Sequence, residues 1–168
     1  GMDFGKSAGK AKAWSQIWGS GQGIGAVREV VPAAALVERL FGSQLSATAL
    51  DLVQTIARQR WSRPIDLVDA ATTVATEASL DAADARGELD SVEDELFRVS
   101  RVLEANPQLS SLLSDHGKDA DKRVDLLKKL VGDKVGTHTW TLLSSTVRLL
   151  HGQAADVAVD QLAELAAA

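Results

Sequence analysis

The 168-residue chain has no cysteine and no tyrosine, one methionine, three histidines and three prolines. Without cysteine there is neither a disulfide framework nor a thiolate metal site, which is compatible with a reducing compartment. No uninterrupted apolar run reaches the roughly 18 residues of a membrane-crossing helix, so direct membrane insertion is not expected. Lys6, Lys10 and Lys12 lie near the start, but no apolar core of signal-peptide type follows them. The net charge of −5 is mild and has the wrong sign for bulk nucleic-acid binding. No stretch of useful length alternates apolar and polar residues as a half-buried strand does. What is present is a chain 45% hydrophobic and 24% charged, the balance of a globular protein able to bury a core. The length suits one domain, or one domain with an appendage.

The chain has two textures. Residues 1–32 form a glycine-rich leader that holds Trp14 and Trp18. From Ala33 onward leucine, alanine and valine recur at helical spacing, and glycine becomes rare punctuation. This predicts an all-α fold. A first helix runs from about Ala33 to Leu40 and stops at Gly42. Ser46 is the expected N-cap of a second, with Leu50, Val53 and Ile56 on one face, ending near Trp61. Pro64 suits the first turn of a third helix carrying Leu67, Ala71, Val74 and Ala78. Leu89, Val92, Leu96, Val99 and Leu103 mark the packing seam of a long acidic helix. Asn106-Pro107 caps and starts a short helix. Three more are expected over about Lys118–Val131, Thr137–Leu150 and Ala154 to the C-terminus.

An internal repeat underlies this order. Laid without a gap over Leu126–Asp156, the segment Leu36–Asp66 matches Leu36 to Leu126, Leu40 to Leu130, Gly42 to Gly132, Leu52 to Leu142, Arg58 to Arg148 and Asp66 to Asp156. The glycine breaks stay in register with the leucines, which favours partial duplication over chance likeness between amphipathic helices.

Candidates for chemistry are few. His116, His138 and His151 lack metal-ligand spacing and sit at expected helix ends, which favours surface or capping roles. The carboxylates Glu88, Asp90, Glu93, Asp94 and Glu95 read as the solvated face opposite the leucine seam rather than an acid–base pair. Ser144 and Ser145 have no histidine or carboxylate at a telling spacing. Arg58, Arg60 and Arg63 surround Trp61 as a charged helix end. Gly21, Gly23 and Ala26 satisfy the loose dinucleotide pattern, a weak signal without a preceding strand.

The segments LSATALDLVQTIARQRWSRPIDLVDA (Leu45–Ala70), GELDSVEDELFRVSRVLEANPQLSSLLSD (Gly87–Asp115), KRVDLLKKLVGDKV (Lys122–Val135) and LLSSTVRLLHGQAADVAVDQLAELA (Leu142–Ala166) resemble the delta subunit of bacterial ATP synthase. That family includes the oligomycin-sensitivity-conferring protein, and the likeness is to its actinobacterial form. The resemblance implies a six-helix bundle over residues 64–168, preceded by a partial first helical repeat over 33–63. It implies a structural stator module rather than an enzyme, with no cofactor and no metal. The family's bundle holds the N-terminal helix of an alpha subunit in a groove between its first and fifth helices, here about Leu67–Asp81 and Thr137–Leu150. The expected partner-binding residues are Leu67, Ala71, Val74, Leu142, Thr146 and Leu149. For each of them a place in the ordinary core is an equal expectation. The peripheral-stalk b subunit binds the family's C-terminal domain, which is expected to be absent from this chain. The implied location is the cytoplasmic face of the plasma membrane, as a peripheral part of the synthase.

Residues 3–40 carry a different likeness. DFGKSAGKAKAWSQIWGSGQGIGAVREVVPAAALVERL resembles the C-terminal tail of nitronate monooxygenase, a flavin enzyme with a TIM-barrel fold. This implies a chain joined from two families near Val37–Phe41. The flavin site of that family needs barrel loops this sequence lacks. Two alternatives to the stator therefore stand at this stage: a fragment of a flavin-dependent monooxygenase, and a recombined helical bundle without a native partner.

Overall fold

The computed structural model describes residues 31–168. Among these residues there are eight α-helices and no strand, as the spacing of the apolar residues requires. The helices are α1 (Ala33–Phe41), α2 (Ala47–Arg58), α3 (Pro64–Asp84), α4 (Leu89–Ala105), α5 (Pro107–Ser114), α6 (Ala120–Val131), α7 (Thr137–Arg148) and α8 (Ala155–Ala166). They fall into two units, one ending at Ser62 and one spanning Arg63–Ala168.

In the first unit α1 and α2 pack on each other. Ser46 caps α2 as expected, its hydroxyl accepting from the Ala49 N–H at 3.2 Å. The Gln54 amide of α2 donates to the Glu38 carboxylate of α1. The helix stops at Arg58, short of Trp61, whose indole N–H turns back to the Ile56 carbonyl at 2.9 Å.

The second unit holds six helices. Pro64 occupies the first turn of α3, where its missing N–H costs nothing. Asp66 accepts from the Arg63 backbone N–H at 3.0 Å and from its guanidinium at 2.7 Å, which fixes the start of the helix. The α4 seam is buried as the sequence predicts, with Val92, Leu96, Val99 and Leu103 in the core and Leu89 packed against it. Facing it are Leu127 of α6, Leu142, Leu143 and Val147 of α7, and Val159 and Leu162 of α8. Asn106 is the N-cap residue of α5 and Pro107 starts it, as expected, while the Asn106 side-chain amide donates to the Val102 carbonyl at 2.7 Å and closes α4. One expected boundary moves. The sixth helix starts at Ala120, where the Asp119 carboxylate accepts from the Asp121 N–H at 2.8 Å.

The two segments of the repeat share their helix bounds. α2 covers 47–58 and α7 covers 137–148, while α1 and α6 end at Phe41 and Val131. The next residue is Gly42 in one and Gly132 in the other, with φ −57° and −56°. A Cβ there would lie 2.6 Å from the Glu38 carbonyl oxygen or 2.5 Å from that of Lys128, closer than real contacts allow. Burial is what differs. Leu52 is 39% exposed, whereas its counterpart Leu142 is 3% exposed beneath the bundle. Gly132→Ala is expected to destabilise the second unit by about 1–3 kcal/mol, because a backbone oxygen cannot step aside. The urea midpoint measures this; an unchanged midpoint would show that the close approach relaxes freely.

Candidate functional site

α3 and α7 meet side by side in the second unit. They run in opposite directions: Arg86, just beyond α3, lies 3.1 Å from His138 at the start of α7, and Ile65 shares a cavity with Leu149 and Leu150 at the other end. Small residues along α3 keep the two ridges low, and between them lies a groove of about 450 Å³. Leu67, Val68, Ala71, Thr72, Ala75, Thr76 and Ser79 form one wall. Thr141, Leu142, Ser145, Thr146 and Leu149 form the other.

No lining residue carries a charge. The α3 hydroxyls are occupied locally: Thr72 donates to the Val68 carbonyl at 2.8 Å, Thr76 to Thr72 at 3.0 Å and Ser79 to Ala75 at 2.8 Å. Thr141 donates to Thr137 at 2.9 Å. These four hydroxyls thus spend their donors inside their own helices, which lowers the polarity they present to the groove.

Five of the six residues expected from the sequence line this groove: Leu67, Ala71, Leu142, Thr146 and Leu149. Val74 does not; it is half-buried elsewhere on α3. The stripe Leu67, Ala71, Val74, Ala78 follows the helix axis. The groove instead follows the ridge of every fourth residue, Leu67, Ala71, Ala75, Ser79, which is inclined to the axis. Ala75, Thr72, Thr76 and Ser79 were missed for that reason, and the run of small and hydroxyl residues on α3 was the available signal. Leu142 serves as floor and core together, since it belongs to the buried cluster. Leu149 is 38% exposed and stands at the open end.

The remaining candidates take structural roles. His116 meets the Leu150 carbonyl at 2.9 Å and the Gly152 N–H at 3.2 Å. His138 Nε2 lies 3.1 Å from the Arg86 guanidinium and 3.7 Å from the Glu88 carboxylate. Asp90, Glu93 and Asp94 are exposed, and Glu95 accepts from the Gly136 N–H at 2.8 Å, tying α4 to the start of α7. Ser144 donates to the Thr141 carbonyl at 3.1 Å. Among the described residues no group of three or more His, Asp or Glu is placed to hold a metal ion. The glycine pattern at Gly21, Gly23 and Ala26, with Trp14 and Trp18, lies outside the described residues. Most of the stretch resembling nitronate monooxygenase lies outside them too.

The Arg63–Ala168 unit is thus a bundle of six helices with an uncharged groove between α3 and α7. Comparison with known proteins gives the family. The model of the ATP synthase delta (OSCP) subunit matches residues 75–167. The ATP synthase subunit b-delta of Mycobacterium sp. (strain KMS) is 44% identical over 135 residues, covering 80% of this chain and 30% of that protein. The protein of the same name from Mycobacterium sp. (strain JLS) gives the same figures. The ATP synthase subunit delta of Streptomyces avermitilis is 41% identical over 134 residues, covering 80% of this chain and 49% of that protein. The chain belongs to the ATP synthase delta (OSCP) family, as the resemblance to the actinobacterial form implied. It spans less than half the length of these relatives.

Proposed function

We propose that the Arg63–Ala168 unit is a stator module of ATP synthase that receives the N-terminal helix of an alpha subunit in the α3–α7 groove. The observation that carries this is the groove itself. It is apolar and uncharged, and it lies between the first and fifth helices of the six-helix unit, where the family resemblance puts the partner. An amphipathic helix binds such a groove by laying its apolar face into it. The module would link the catalytic head to the peripheral stalk by packing, at the cytoplasmic face of the membrane, with no chemistry of its own. No helix among the described residues is long and apolar enough to cross a membrane. Contact with the b subunit is assigned by the same resemblance to the family's C-terminal domain rather than to this bundle. The α1–α2 pair is then a partial first copy of the module, supported by helix bounds and glycine contacts that match those of α6–α7.

The test is a calorimetric titration with a synthetic peptide of the alpha-subunit N-terminus from the same organism. Saturable binding is expected, and Ala75→Lys is expected to weaken it at least about 30-fold by placing an ammonium in an apolar groove. Ala75 is exposed, so the variant keeps its circular dichroism. Leu142→Asp would be a poor probe, because a carboxylate buried at that depth unfolds the bundle. A folded protein that binds no peptide would end this reading.

A further inference from the structure

A second cavity lies between α4 and α6 and shares no lining residue with the α3–α7 groove. The geometry points to it as a binding site for a small anionic amphiphile, a hydrocarbon chain of about ten carbons ending in a carboxylate. α4 and α6 each pack on α5 and on α7 but hardly touch one another. The gap this leaves has a volume of about 370 Å³, within the range of small-molecule sites.

The walls are aliphatic. Val99 and Leu103 of α4, Leu109 of α5, and Leu127, Leu130 and Val131 of α6 line them. Leu103 and Leu127 are buried and form the floor, while Val102 is 48% exposed at the lip. Leu109 stands at the α5 end, and the α6–α7 turn with Lys134 and Val135 bounds the other. From Glu95 to Leu103 α4 rises about 12 Å, the length of about ten extended carbons. An occupant must end inside a trough bounded in this way, as a short chain does and a through-running helix does not.

The charges at the α6–α7 end select the head group. The lining has three charged side chains, Glu95, Arg98 and Lys134. Arg98 is tethered to Asp94. Lys134 is exposed and, among the described residues, makes no ion pair. The Glu95 carboxylate accepts from the Gly136 N–H at 2.8 Å, so the positive end of α7 offsets its charge. A carboxylate at this end therefore meets the Lys134 ammonium, whereas a cationic head is repelled by it. The tail gives up water along the aliphatic walls, and each methylene covered strengthens binding about three- to fourfold. This site is independent of the proposed alpha-subunit contact and does not depend on it.

Octanoate, decanoate and decylammonium, titrated into the full chain and followed by amide and methyl shifts, test this. Decanoate is expected to bind with a Kd of about 0.1–1 mM and to move Val102, Leu109, Leu130 and Val131. Octanoate, shorter by two methylenes, is expected to bind about tenfold more weakly. Decylammonium is expected to bind at least about threefold more weakly than decanoate, and Lys134→Glu to reverse that order. Val102→Asp sets a second carboxylate in the wall and is expected to weaken decanoate about tenfold. Both substituted side chains are exposed, so both variants keep their circular dichroism. If decanoate and decylammonium bind alike, or Lys134→Glu leaves their order unchanged, the inference is overturned. Shifts confined to α3 and α7, or no shifts in the folded protein, overturn it too. Should the alpha-subunit N-terminal peptide move these residues while decanoate does not, the cavity belongs to a protein contact and the inference falls.

Discussion

Leu143→Ala destabilises the Arg63–Ala168 unit by about 2–5 kcal/mol, the expected cost of removing buried methyl groups and leaving a cavity. Leu143 is 0% exposed, and α7 contacts α3, α4, α6 and α8. Its side chain is therefore fixed from several directions at once, and the surrounding helices cannot all close into the space it leaves. For a domain of this size each kcal/mol moves Tm by about 4–8 °C, so a fall of at least about 8 °C follows. Phe97→Ala is the control. The larger side chain is removed, but Phe97 is 57% exposed, and a change within about 0.5–1 kcal/mol is expected. Thermal and urea unfolding of both variants decide the matter. Equal losses would mean that the bundle does not concentrate its stability in the core described above.

The second large effect comes from two serines. α8 begins after Ala154, which has no side chain to cap it. Its first amides are capped from α5 instead. Ser114 accepts from the Ala155 N–H at 2.8 Å while donating to the Ser110 carbonyl at 2.7 Å. Ser110 accepts from the Asp156 N–H at 3.2 Å and donates to the Asp156 carboxylate at 2.7 Å. The arrangement does across space what a capping residue does along the chain, and it also binds α5 to α8. Ser110→Ala and Ser114→Ala are each expected to cost about 1–2 kcal/mol, since each leaves a part-buried N–H without an acceptor. The double variant should cost less than the sum, because the two hydroxyls belong to one network. Hydrogen exchange at Ala155 and Asp156 reads the caps directly. Rapid exchange of those amides in the unaltered protein would refute the capping role, whatever the unfolding data show.

Both effects lie in contacts between helices, and that is where sequence and structure part. The sequence alone determined that the chain after Ala33 is helical, because apolar residues recur every three or four positions and no alternation competes with them. It also placed the breaks at Gly42, Gly132, Pro64 and Pro107, since a missing Cβ or a missing N–H acts on the backbone locally. The buried seam of α4 was legible for the same reason. Five groove residues were reached through the family resemblance, which carried the pairing of the first helix with the fifth. Only the tertiary structure decided that Ala75 rather than Val74 lines the groove, because that depends on the angle at which α7 crosses α3. It alone showed Leu142 to be core and floor at once, the Asn106 side chain to close α4, and two serines of α5 to cap α8. Periodicity is a property of one helix and can be read from one segment. Crossing angles and hydrogen bonds between segments distant along the chain exist only once the helices have met.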